Sequence, residues 1–148
     1  MSRVSAAEKL CVAQEDDEMH DRVDSWLNMC DEDLITAKWL LDGKRLLPMG
    51  FFCHLIAEKA LKAVVVHNTG EIPPKTHDLT KLAERCGIYE DLSEEQQDFL
   101  EELLPLQIDG RYTEYKESIA KTLSYQKCEK IFKETEKFLC WIKKRLGR

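Results

Sequence analysis

His54, Glu58 and Lys62 stand four residues apart in FFCHLIAEKALKAVVV, residues 51–66, and a second histidine, His77, follows a double proline in PPKTHDL, residues 73–79. On a helix the first three fall within about 80° of arc, so an imidazole, a carboxylate and an ammonium share one stripe. Such a set can hold a phosphate or a hydroxyl and move a proton. It can equally be the wet face of the helix, with Glu58 and Lys62 in the favourable order for an ion pair. Lys59 lies off the stripe and either snorkels to solvent or meets a partner of its own.

His77 reads as part of the first turn of a short helix capped by Thr76. The positive end of a helix disfavours a cationic imidazole, which keeps the ring neutral and fits it to fix a loop or to act as a base. Arg111 and Tyr112 follow Gly110 at the start of another helix, with Tyr115 one turn later. An arginine fork beside free backbone N–H groups can hold a phosphate. The competing reading pairs Arg111 with Glu101 or Glu102 of the acidic segment before it.

The elements that must position these groups are all helical. Val23, Trp26, Leu27, Cys30, Leu34, Ala37 and Leu41 keep helical spacing up to Gly43. A second helix starts near Pro48 and ends by Asn68-Thr69-Gly70, and its residues 51–66 are apolar nearly all round, as a central helix must be. Pro73-Pro74 breaks the chain, and a short helix then runs from Thr76 to Cys86-Gly87. Ser93-Glu94-Glu95-Gln96 matches a capping box for a helix to about Leu104, stopped by Pro105. One last long helix is expected after Gly110, with Ile119, Leu123, Ile131, Thr135, Phe138, Ile142 and Leu146 at helical spacing. No segment alternates as a strand. The expected fold is all-α, an antiparallel up-and-down bundle of four to five helices over residues 21–148, preceded by a mobile tail or loose extra helix at 1–20.

Composition bounds the function. The 148 residues suit one domain, and no apolar run is long enough for a membrane span or a signal peptide, so the expected place is the cytoplasm. The six cysteines are scattered without a CxxC pair and read as free and buried, and no zinc set is expected. Residues 1–110 carry a net −12, whereas residues 111–148 carry +6. An acidic body with a basic final helix is either a solvated helix beside acidic neighbours or a binding face.

Taken together, Ala57-Glu58-Lys59-Ala60-Leu61-Lys62-Ala63, Thr76-His77-Asp78-Leu79 and Arg111-Tyr112, in this order and spacing, resemble a HEPN domain over about residues 22–146. The resemblance implies a bundle of four to five helices, commonly a homodimer, and often a small nucleotidyltransferase partner in a toxin–antitoxin pair or a nucleotide-binding module. Many members are metal-independent ribonucleases with an arginine followed, after four to six residues, by a histidine. Here those positions after Arg111 hold Lys116, Glu117 and Ser118, and after Arg85 they hold Glu90, Asp91 and Leu92. Tyr112 and Tyr115 lie near the place of a tyrosine that such partners modify with AMP, out of that motif's frame.

The expectation is therefore a non-catalytic nucleotide- or partner-binding protein without cofactor or metal. His54, Glu58, Lys62, His77, Arg111 and Tyr112 line its groove. The rival is a ribonuclease using His77 with Arg111, on RNA. A third reading makes the same residues a polar network that ties loop to helix.

Overall fold

The computed structural model describes residues 5–148. Six α-helices follow in order: α1 (Ala6–Asp42), α2 (Leu46–Thr69), α3 (Leu79–Arg85), α4 (Glu94–Leu103), α5 (Thr113–Ala120) and α6 (Tyr125–Arg145), with 3-10 turns at Tyr89–Asp91 and Leu104–Leu106. No strand occurs among the described residues. The fold is the all-helical bundle that the periodicity implies.

The short turn Gly43-Lys44-Arg45 sends α2 back antiparallel along α1, and α6 packs against both. Gly70 ends α2 in the left-handed region, at φ 68°, and donates its N–H to the Val66 carbonyl. Ser93 and Gln96 form the capping box of α4. Pro105 closes that helix with a 3-10 turn, because its ring cannot continue the α ladder.

Two elements depart from the sequence pattern. The single long helix expected after Gly110 is two helices, α5 and α6, broken at residues 121–124. Ser124 there has extended backbone and accepts from the N–H of Lys127, so it starts a helix rather than continuing one. Ser124→Ala is expected to destabilise the protein by about 1 kcal/mol in urea unfolding, the usual cost of losing a cap. Secondly, where a mobile tail or a loose extra helix was expected at 1–20, residues 6–20 are helical and run without a break into α1, started by a Ser5–Glu8 capping box. Their side chains are exposed, apart from Met19 and from Ala13, which is not described. Residues 1–4 of that segment lie outside the described residues.

The core gathers around α2. Among it are Met49, Cys53, Ile56, Ala60, Leu61 and Val64 of α2, Leu27, Cys30 and Leu41 of α1, and Ile131, Phe138 and Ile142 of α6. All six cysteines are free, but only four are buried, since Cys11 and Cys140 lie exposed. Burial pushes the thiols of Cys30 and Cys53 up to about 12, so both act as small apolar side chains. No described helix is long and apolar enough to cross a membrane.

Candidate functional site: a buried polar cluster and an exposed arginine

Because α2 is covered by α1, α3 and α6, nearly all of residues 53–66 are buried, and only Leu55 and Lys59 keep part of their surface. The wet sector of α2 is therefore not the polar stripe. Lys59 meets a partner rather than solvent: its ammonium lies 2.5 Å from Asp33 Oδ2 on α1. The stripe itself is inside, with His54 at 0% exposure, Glu58 at 4% and Lys62 at 8%. The solvated-face reading of the stripe falls with that.

Glu58 is the hub. Its Oε2 accepts from the Lys62 ammonium at 3.0 Å, and its Oε1 lies 2.7 Å from His77 Nδ1. The same Oε1 stands 3.8 Å from His54 Nδ1, too far for a hydrogen bond. Trp26 of α1 covers the far side, its ring 5.8 Å below the Lys62 ammonium. One carboxylate thus serves both a lysine and an imidazole, and gives the buried Lys62 its anionic partner.

His54 is unlike its neighbours. Both ring nitrogens are buried without a hydrogen-bond partner among the described residues. Burial drives its pKa down to about 4, against the upward pull of the Glu58 carboxylate, and the ring is neutral at pH 7.

His77 sits outside α3 and not in its first turn. The cap is Asp78, whose carboxylate accepts from the Lys81 N–H, while the Thr76 hydroxyl accepts from the Asp78 N–H. The dipole argument for a neutral His77 therefore loses its premise. The ring is instead half-exposed and held by Glu58 through Nδ1. The connector it belongs to is fastened elsewhere too, by Arg22 donating to the Gly70 carbonyl, and Asn68 of α2 donates to the carbonyl of Cys86 at the end of α3.

Arg111 and Tyr112 are not bonded to this cluster. Both are exposed, and neither takes part in the hydrogen bonds or ion pairs around Glu58. The Arg111 guanidinium rests 4.8 Å from the centre of the Tyr115 ring, whose hydroxyl donates to the Pro105 carbonyl. Among the described residues Arg111 has no carboxylate partner, so neither Glu101 nor Glu102 neutralises it. Tyr112 precedes α5 with its side chain 84% exposed and makes no cap bond. The structure therefore joins His54, Glu58, Lys62 and His77, and leaves Arg111 and Tyr112 outside that network. The sequence reading missed Trp26 as part of the cluster, although its place one turn before Cys30 on the inward stripe of α1 pointed towards α2.

The comparisons with known proteins agree with the fold. The crystal structure of an archaeal HEPN homologue superposes with a TM-score of 0.56, covering 84% of this chain and 97% of that one, at 20% identity. That likeness shows a common fold. No protein with a curated description matches the sequence. The sequence pattern of the HEPN domain matches residues 23–146, from the first buried turn of α1 to the end of α6. The chain is a member of the HEPN domain family.

Proposed function

We propose that this HEPN protein is a non-catalytic binding module of the cytoplasm, taking a nucleotide phosphate at Arg111 and acting as a homodimer with a small nucleotidyltransferase in a toxin–antitoxin-like pair. The observation that carries the phosphate site is the state of Arg111. At the start of the basic segment 111–148 and next to the acidic residues 1–110, an arginine that no carboxylate among the described residues neutralises, propped on Tyr115, is positive charge left for a ligand. Tyr112 beside it offers an exposed ring for a base to stack on. The Glu58 cluster then serves to hold the connector at 70–78 against α2. The partner, the pairing and the homodimer rest on family membership.

Thermal melting tests the ligand. Nucleoside triphosphates are expected to raise the melting temperature of the wild type and to leave Arg111→Ala unmoved, as binding to the native state alone requires. A rise of equal size in both proteins would remove Arg111 from the site.

One observation favours a second reading, ribonuclease activity centred on His77. Its Nδ1 is held by Glu58 and its ring is half-exposed, the arrangement that orients an imidazole as a base. Metal-free cleavage of RNA, lost in His77→Ala, would establish it.

A further inference from the structure

Arg22 of α1 donates to the carbonyl of Gly70, where α2 ends, and residues 6–18 of α1 run on past that point. Their described side chains are all exposed. A helix of that length without packing is marginal in water by itself. Leu10, Asp17, Asp21, Asp24 and Glu32 recur at helical spacing and fall within about 80° of arc on α1. That arc lies on the side away from the buried Val23, Leu27 and Cys30. All five are exposed, and no lysine or arginine of α1 stands among them. Leu10 is 63% exposed, and Met29, 37% exposed, flanks the stripe beside Asp21, Asp24 and Glu32. Asp24 accepts from Arg148, whereas Asp17, Asp21 and Glu32 meet no cation among the described residues. Asp17 and Asp21, four residues apart, repel each other, so α1 keeps these charges at a cost to its own stability. The HEPN pattern begins at residue 23, which puts Leu10, Asp17 and Asp21 outside the shared domain.

We propose that this outer face of α1 docks a basic surface of a different protein, with Leu10 and Met29 as apolar anchors near the two ends of an acidic stripe. Charge selects the occupant. A stripe of one sign calls for a partner of the other. Nucleic-acid phosphates and anionic lipid headgroups are repelled by the same carboxylates. A second copy supplies few free cations. On its basic helix α6, Lys130, Lys133, Lys143 and Arg145 already pair with carboxylates of their own chain. Docking also packs the overhanging part of α1 and offsets the repulsion along it. The proposal rests on the partner-binding reading above and names the surface and the partner's charge. It needs no nucleotide at Arg111.

The test immobilises the full chain, as wild type and with Asp17→Asn, Asp21→Asn and Glu32→Gln combined, in an extract of its own cells. The three side chains are exposed, so helix content and melting of the triple variant should match those of wild type. A protein retained by wild type is identified, purified and titrated into both. It is expected to be basic, and to bind the triple variant at least about 10-fold more weakly at low salt, the sum of three exposed ion pairs. High salt should bring the two affinities together, because it screens the charges. Leu10→Ala should weaken binding at either salt, because its contact is apolar. Equal affinity for wild type and triple variant would overturn this face and leave partner binding standing. No protein retained by wild type would overturn both. Retention of nucleic acid, of an acidic protein or of a second copy, lost in the triple variant, would overturn the basic partner.

Discussion

Glu58→Ala is expected to destabilise the protein by about 3–5 kcal/mol, the range for breaking a buried ion pair from one side. The carboxylate is 6% exposed and its lysine 10%, so water does little to screen the pair. Without Glu58, the Lys62 ammonium keeps the Trp26 ring but no anion, and His77 loses the acceptor that fastens it. A marginally stable domain has little beyond that to lose, so the single variant sits near unfolding at room temperature. The double variant Glu58→Leu with Lys62→Met is expected to recover most of the loss, because it removes both charges and fills the space with apolar atoms. Urea unfolding of the wild type, Glu58→Leu, Lys62→Met and the double variant measures the coupling. A single variant as stable as wild type would mean that the pair is more hydrated than its burial implies.

His54 makes the second large prediction, an acid sensitivity located at one residue. The native ring binds its proton only near pH 4, whereas in the unfolded chain it does so near the ordinary 6.5. Between those values the unfolded state holds more protons, so stability falls as the pH is lowered through that window. The full drop corresponds to about 3 kcal/mol and is complete below pH 4. The groups facing the ring are Glu58 and Lys62 of its own helix and His77 of the connector, and all three remain in His54→Leu. The difference between wild type and His54→Leu therefore isolates this ring. His54→Leu is expected to lose the acid slope and, at pH 7, to be as stable as wild type or more so, since two unpartnered polar atoms leave the core. Urea midpoints at pH 7 and pH 4.5 check it, and parallel losses in both proteins would contradict it.

The helix ends with strong local chemistry were legible in the sequence. The left-handed Gly70, the Ser93–Gln96 box and the break at Pro105 each follow from a backbone requirement that few residues meet. The break between α5 and α6 was hidden because Ile119 and Leu123 carry the apolar spacing across it, and a lone serine at 124 is a weak signal. Thr76 and Asp78 are both good caps, and only the fold decides that Asp78 takes the role.

The candidate site was legible in part. Helical spacing shows that His54, Glu58 and Lys62 share a side of α2, but angles do not say which side a neighbour covers. Trp26, arriving from another helix, supplies that information. The link from Glu58 to His77 spans nineteen residues and a proline turn, which no periodicity reports. Arg111 read as a phosphate holder or an ion-pair partner, and its lack of a described carboxylate partner favours the first.

The most direct measurement is calorimetric titration of a nucleoside triphosphate into wild type, Arg111→Ala and His77→Ala. Binding is expected in wild type and in His77→Ala, and a loss of at least about 10-fold in Arg111→Ala, the size expected for a hydrogen bond to a charged group. Affinity unchanged in Arg111→Ala, or lost in His77→Ala instead, would contradict a phosphate site at Arg111 and move the function to the Glu58–His77 pair.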